Sequence, residues 1–136
     1  MSKSYDNSIF MSDRGDALKK KVAAMFTDPQ RQRKSDPGRP ELCNVRTFHQ
    51  LYSASDAVAE LESACRIAHI GCTECKQRQA SAVAEGMRPI HERRDHYLAH
   101  SEEVRAIIED GNRRAARIAK ATLAEVREAL KISHEL

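Results

Sequence analysis

Tryptophan is absent from the 136-residue sequence, and aromatic residues make up only 4% of it. A hydrophobic core must therefore be built from leucine, isoleucine, valine, methionine and alanine, a mixture that suits helix-on-helix packing better than a sheet. The sequence also lacks an apolar run long enough to span a bilayer, and its polar beginning is unlike a signal peptide. We therefore expect an all-α helical bundle with a cytoplasmic location.

A strong excess of charge of either sign is missing as well. Lys and Arg together number 23 and Asp and Glu number 20, which gives a formal net charge of +3. Such a mild positive balance permits a nucleic-acid partner without arguing for one. Because cytosolic thiols stay reduced, the four cysteines are expected to be metal ligands or free thiols rather than disulfides.

The helical pattern of the first half is interrupted once. An amphipathic helix is predicted from Asp16, and the prolines of residues 28–42 predict an irregular connector after it. A short helix over Cys43–Tyr52 follows. Ser53 or Ser55 would then cap another helix, because a serine hydroxyl can accept a hydrogen bond from a first-turn amide.

Two long helices are expected in the second half. The first runs from near Cys72 towards Leu98, with Gly86 and Pro89 as points of bending. The second, which Ser101 would cap, repeats apolar residues at three- and four-residue steps and carries charged residues on its other face. No segment alternates as a half-buried strand does.

The cysteines form a constellation with the spacing C-x21-C-x6-C-x2-C: Cys43, Cys65, Cys72 and Cys75. A C-x2-C pair at the start of a helix can direct both thiolates to one centre. Four thiolates on one centre suit either a [4Fe–4S] cluster or tetrahedral zinc. The wide first interval mildly disfavours zinc, whose sites usually contain two close pairs. The other interpretation is that these cysteines are buried as small apolar residues.

The first four residues, Met1 to Ser4, combine serine hydroxyls with a lysine. A flexible loop of this kind can surround phosphate oxygens with hydroxyl and ammonium donors. Taken alone, the tetrapeptide does not distinguish such a loop from an ordinary terminal tail.

Five segments, taken in order, carry a resemblance to a known family. They are Met1–Asn7, Lys19–Val22 with Thr27–Pro29, Asp36–Pro40, Pro89–Arg94 and Ala121–Ala129. The first resembles the K-M-S-K-S signature of class I aminoacyl-tRNA synthetases. Together the segments make the chain similar to bacterial tryptophanyl-tRNA synthetases from the signature loop to the C-terminus.

The resemblance implies a division of the chain into two parts. Residues 1–15 would be a remnant of the active-site loop, and residues 16–136 a helical domain that binds tRNA at the anticodon, with the cysteine cluster at 43–75. Lys3, assisted by Ser2 and Ser4, would act on the phosphates of ATP as catalytic residues. The implied partner is tRNA-Trp, and the family is homodimeric. Basic candidates for tRNA contact are Arg31, Arg33, Lys34, Arg46, Arg66, Arg113, Arg114, Arg117 and Lys120.

A subset of this family carries a [4Fe–4S] cluster on cysteines spaced C-x22-C-x6-C-x2-C. The chain keeps the last two intervals, and its first is one residue shorter. The resemblance therefore favours iron–sulfur over zinc. The nucleotide-binding half of the family, with the tryptophan pocket and most ATP contacts, has no counterpart here. We accordingly expect the C-terminal part of a tryptophan–tRNA ligase, inactive alone; the alternative is a stand-alone metal-cluster module that binds tRNA without ligase activity.

Overall fold

The computed structural model describes residues 8–132. Over this range the chain forms five α-helices and one short 3₁₀ turn and contains no strand, which confirms the all-α prediction. None of the helices in this range is long and apolar enough to cross a membrane. The helices are α1 (Gly15–Ala23), α2 (Asn44–Tyr52), α3 (Ser55–Arg66), α4 (Cys72–Ala99) and α5 (Ser101–Ala129), and the 3₁₀ turn is Pro40–Leu42.

The chain divides into two compact units, residues 1–92 and 93–136. The sequence pattern did not predict this boundary, because it falls inside α4, where helical periodicity continues without a break. The first unit contains the connector, the cysteines and the first three helices, and the second contains α5.

The first unit has a small hydrophobic core between α1 and α4. Leu18 and Val22 lie one helical turn apart on α1, and both are almost fully buried. On α4 the corresponding stripe is formed by Ala80, Val83 and Met87. The side chains that pack partly buried against this core are Ile9, Met25, Phe48 and Tyr52.

Gly86 lies where α2 approaches α4, a contact that the sequence does not predict. α4 runs through Gly86 and Pro89 without interruption. A Cβ placed on Gly86 would lie 2.7 Å from the ring of Tyr52. Glycine at this position therefore allows α2 to approach α4 closely, which the sequence alone could not distinguish from a bend.

The predicted serine caps are wrong by one residue. Ala54 and His100 occupy the N-cap positions of α3 and α5, and neither side chain makes a capping hydrogen bond. Ser55 and Ser101 are instead the first helical residues. A serine hydroxyl one position inside the helix no longer faces the free amides of the first turn, so it does not cap them.

The second unit consists mainly of α5, and no residue of that helix is buried. Its predicted apolar face is present, but the side chains on it remain largely exposed, among them Ile107, Ile118 and Leu123. At the start of the unit, His96 stacks on His100 and its Nε2 lies 2.7 Å from the carboxylate of Glu103. Local contacts of this kind do not replace burial of the apolar face.

Candidate metal centre

The four cysteines lie where three segments end or begin. Cys43 precedes α2 in an extended conformation, and Cys65 is the penultimate residue of α3. Cys72 is the first residue of α4, and Cys75 lies in the same first turn. All four are free, half-buried thiols, and the predicted placement of Cys65 at a helix end and of the C-x2-C pair at a helix start is confirmed.

The four thiols lie near one another, since Cys43, Cys65 and Cys72 each affect the pKa of Cys75. Burial raises the pKa of Cys75 to about 12, and the neighbouring Cys43, Cys65 and Cys72 contribute to that rise. Burial also raises the pKa of Cys65; the guanidinium of Arg31 opposes this effect, and Cys43 and Cys72 add to it. The thiols of Cys65 and Cys75 therefore hold their protons at neutral pH, so a bound metal would have to displace these protons.

The two kinds of metal centre need different distances between their sulfur ligands. Among residues 8–132, no group of three or more Cys, His, Asp or Glu side chains is placed so that it could hold a metal ion. A single zinc ion draws its sulfurs to about 2.3 Å, and therefore to within about 4 Å of one another. Cysteines at the corners of a four-iron cube lie farther apart.

Arg31 supplies a positive charge beside the sulfurs. Its Nη1 lies 3.6 Å from Sγ of Cys65 and 3.9 Å from Sγ of Cys72. Its Nη2 donates to the carbonyl oxygens of Lys34, at 3.0 Å, and Ile70, at 2.7 Å. The guanidinium is therefore held in place next to two thiols, where it would offset the negative charge of a thiolate-bound cluster. The sequence predicts Arg31 only as a tRNA contact, because the spacing of Arg31 from the cysteines along the chain does not link it to them.

Gly38 forms part of the wall behind Cys65. Its amide donates to the Cys65 carbonyl at 2.9 Å. A Cβ at this position would collide with the Sγ of Cys65. The connector therefore packs directly on a thiol, and only glycine leaves room for the sulfur as it is placed.

A buried ion pair fixes the connector that carries Gly38. Asp28 is 5% exposed and accepts hydrogen bonds from Nε and Nη2 of Arg39, at 3.0 and 2.6 Å. The backbone amides of Arg39 and Gln30 also donate to this carboxylate. The Arg39 guanidinium holds the pKa of Asp28 well below its ordinary value of 3.8, so the pair stays charged at neutral pH.

His49 lies on α2 next to the cysteine site. It is 2% exposed, and its Nδ1 lies 2.9 Å from the hydroxyl of Ser53. Its Nε2 lies 3.2 Å from the carbonyl oxygen of Cys75 and 3.6 Å from the Sγ of the same residue. Burial lowers the pKa of His49, which favours a neutral ring beside the thiol.

The other predicted site residues fall into three groups. Ser2, Lys3 and Ser4 lie outside the described residues. Several tRNA candidates are ion-paired: Arg46 with Glu62, Arg66 with Glu41 and Glu62, and Arg113 and Arg114 with Asp110. Arg33, Lys34, Arg117 and Lys120 form no ion pair in the part of the chain that the structure describes. Contact of any of these residues with tRNA stays a prediction.

Comparison with known proteins places the chain beside one group. Residues 1–87 match the family described as tRNA synthetases class I (W and Y). The chain is 41% identical over 133 residues to the tryptophan–tRNA ligase of Aquifex aeolicus, covering 97% of the chain and 34% of that relative. It is 41% identical over 134 residues to the tryptophan–tRNA ligase of Ralstonia nicotianae, again covering 34% of the relative. The chain thus spans about a third of the length of these relatives.

Solved structures agree in fold. The crystal structure of tryptophanyl-tRNA synthetase from Campylobacter jejuni superposes with a TM-score of 0.86 over 97% of the chain and 42% of that protein, at 23% identity. A second crystal structure of that enzyme, complexed with ADP and tryptophan, gives the same TM-score of 0.86. At this level of identity the similarity establishes the arrangement of helices and nothing further.

Proposed function

The chain belongs to the class I tRNA synthetases of the tryptophan and tyrosine group, and from this we propose that it is the C-terminal part of a tryptophan–tRNA ligase. The observation that carries the proposal is 41% identity to two such ligases over nearly the whole chain. In the complete enzyme, tryptophan would be activated with ATP and attached to tRNA-Trp. This chain would supply the helical part that holds the tRNA.

The chain alone is proposed to be inactive in both steps of the reaction. It corresponds to about a third of the relatives, and the described residues contain no strand from which a nucleotide-binding sheet could be built. Lys3 would act as a mobile positive charge on the ATP phosphates, with Ser2 and Ser4 as hydroxyl donors. Exchange of pyrophosphate into ATP in the presence of tryptophan measures the first step, and turnover by the purified chain above background would contradict the proposal.

The cysteine site is proposed to hold a [4Fe–4S] cluster on Cys43, Cys65, Cys72 and Cys75. The proximity of the four thiols and the guanidinium of Arg31 support this assignment. Bound there, the cluster would supply a covalent tie between the connector, the end of α3 and the start of α4. We assign it a structural role, because the small alanine-containing core of the first unit gains most from such a tie.

A stand-alone tRNA-binding module is the second candidate. The first unit has its own core and its own cysteine site, an arrangement that can fold and bind without a catalytic domain. In this alternative the chain binds tRNA-Trp but cannot restore charging when it is joined to a catalytic half.

A chimeric enzyme separates the two candidates. We would replace the matching C-terminal segment of the Aquifex aeolicus ligase with this chain and measure attachment of tryptophan and of tyrosine to their tRNAs. The proposal expects charging of tRNA-Trp with tryptophan alone. A folded chimera that forms tryptophanyl-adenylate yet charges no tRNA, while the free chain binds tRNA-Trp, would favour the module instead.

A further inference from the structure

A cavity of about 560 Å³ lies beside the cysteine site at the start of α4. We call it the basic pocket. Its lining includes Thr27, Arg31, Arg33, Lys34, Thr73 and Glu74, and also Cys72 of the cysteine site. Three of these side chains are cationic and one is a carboxylate, so the pocket carries a net positive charge even if Cys72 is counted as a thiolate.

The cations of the basic pocket differ from most others in the first unit because they have no acidic partner. Arg33 and Lys34 make no ion pair and no side-chain hydrogen bond in the part of the chain that is described. Glu74, the carboxylate in the lining, is engaged by Arg78 at 2.8 Å. The other ion-paired cations of the unit are Lys19, Lys21, Arg39, Arg46, Arg66 and Arg88. Three cations without an acidic partner therefore line one cavity, where they attract an anion.

Arg31 forms the rigid part of the pocket. Its Nη2 donates to two backbone carbonyls, those of Lys34 and Ile70. Its Nε is buried and has no hydrogen-bond partner. The two carbonyl contacts fix the guanidinium in position, so its charge stays at the edge of the pocket.

The opposite wall of the pocket offers neutral donors. The amide of Cys75 donates to the carbonyl of Gly71, so the earlier amides of α4, including that of Thr73, have no partner within the helix. The hydroxyls of Thr27 and Thr73 also have no hydrogen-bond partner among residues 8–132. Guanidinium, ammonium, hydroxyl and amide donors around one cavity form the set that binds phosphate oxygens.

We propose that the basic pocket binds one phosphate group of an RNA backbone, with Arg33 and Lys34 as the main contacts and Arg31 as the fixed charge behind them. This inference rests on the proposed function, since tRNA is the polyanion that such a ligase must hold. Contacts to phosphate carry no base information, so the pocket would position the RNA strand rather than read its sequence. Free phosphate presents the same oxygens, and the experiment distinguishes the two sources.

The test compares the full chain with two double variants that each lose one arginine and one lysine charge. The pocket variant is Arg33→Ala with Lys34→Ala. The control is Lys20→Ala with Arg105→Ala, two exposed cations outside the pocket that form no ion pair within residues 8–132. Affinity for a tRNA-Trp transcript is measured across a range of salt concentrations, and circular dichroism checks folding. In parallel, the NMR chemical shifts of the backbone amides of Thr73 and Glu74 are followed while inorganic phosphate is added.

We expect the pocket variant to bind the transcript about tenfold more weakly at low salt and to lose about one unit from the slope of log affinity against log salt, because one phosphate contact is gone. The affinity of the control variant for the transcript should change by less than about twofold. Inorganic phosphate should shift the two amides in the unaltered chain and not in the pocket variant. Restoring the charges as Arg33→Lys with Lys34→Arg should recover most of the affinity.

The opposing outcomes are distinct. If the unaltered chain binds tRNA-Trp and the pocket variant behaves like the control, the pocket inference is wrong and the proposed function stands. If phosphate shifts the amides but the chain binds no tRNA-Trp, the pocket takes free phosphate only, and both the RNA assignment and the tRNA-binding role are contradicted.

Discussion

The two units of the chain differ in how they use apolar residues. In the first, Leu18, Val22 and Val83 are almost completely buried between α1 and α4. In the second, α5 repeats apolar residues at the same helical spacing, yet none of them is buried. A helical pattern therefore predicts that an apolar face exists, but it does not predict what covers that face.

The units also differ in the interactions that stabilise them. The connector of the first unit is fixed by the Asp28–Arg39 pair and by Gly38 against Cys65. The ion pairs of α5 are local and exposed, such as those from Asp110 to Arg113 and Arg114. Exposed local pairs contribute about 0.5 kcal/mol or less each. We thus expect substitutions in the first unit to matter much more than similar substitutions in the second.

Loss of the cluster should have the largest effect. Cys72→Ser removes one thiolate, so the proposed cluster should not assemble, and the free energy of unfolding of the first unit should fall by about 4 kcal/mol or more, the contribution of a group bound a thousandfold above its dissociation constant. Hydrogen exchange reports the change separately for each helix. Amides of α1 and the first half of α4 should lose protection, whereas those of α5 should exchange as before. The neighbouring Thr73→Ser should leave all of them unchanged, and equal protection in Cys72→Ser would mean that the thiols hold nothing structural.

A matched pair of leucines tests the difference in burial directly. Leu18→Ala opens a cavity in the core, since Leu18 is 2% exposed. It should lower the free energy of unfolding by about 2–5 kcal/mol. Leu123→Ala removes a side chain that is 50% exposed and should cost less than about 1 kcal/mol. Urea denaturation of both variants measures the two costs. Similar costs would show that α5 is covered in solution and would remove the contrast between the units.

A pair of aspartates tests the difference in ion pairing. Asp28→Asn leaves Arg39 without its carboxylate and should speed release of the connector from Cys65, seen as faster loss of the cluster absorption in air. Because the depressed pKa of Asp28 lies below 3.8, its stabilising charge is fully present above about pH 4 and lost only as the pH falls further. The effect should therefore be the same at pH 6 and pH 8. Asp110→Asn, which breaks only exposed pairs, should leave the rate of cluster loss unchanged; a strong dependence on pH above 6 would assign the effect to another group.

A pair of glycines should show the smallest effects, of opposite sign. Alanine is favoured over glycine inside a helix by about 1 kcal/mol. At Gly111 a Cβ would meet nothing within 4 Å, so Gly111→Ala should raise the unfolding free energy by up to that amount. At Gly86 the Cβ would press on the ring of Tyr52, and Gly86→Ala should be destabilising by about 1 kcal/mol after the gain in helix propensity. Calorimetry of the two variants measures both changes in the free energy of unfolding. Stabilisation of both would mean that Tyr52 moves aside freely.

Much of the fold could be predicted because it depends on local pattern. The connector, the short helix after Cys43 and the long helix from Cys72 follow from proline content and apolar spacing, and the structure has them within a residue or so. The serine caps failed because Ala54 and His100 take the cap positions without any side-chain bond. The close approach of Tyr52 to Gly86 could not be predicted, because the two residues are distant in sequence.

Prediction of the candidate site was possible for the cysteines and not for their surroundings. The spacing of Cys72 and Cys75 on one helical turn is a local property. Arg31 and Gly38 reach Cys65 through the folded connector, and no periodicity marks such contacts. For the same reason, the ion pairs that occupy Arg46 and Arg66 could not be separated in advance from the unpaired charges of Arg33 and Lys34.

Metal content of the chain purified without oxygen tests the central claim most directly. A cluster in the first unit predicts about four iron and four sulfide per chain, with a brown colour and broad absorption near the blue end that Cys65→Ser abolishes. A colourless chain with one zinc per molecule, or with neither metal, would contradict it.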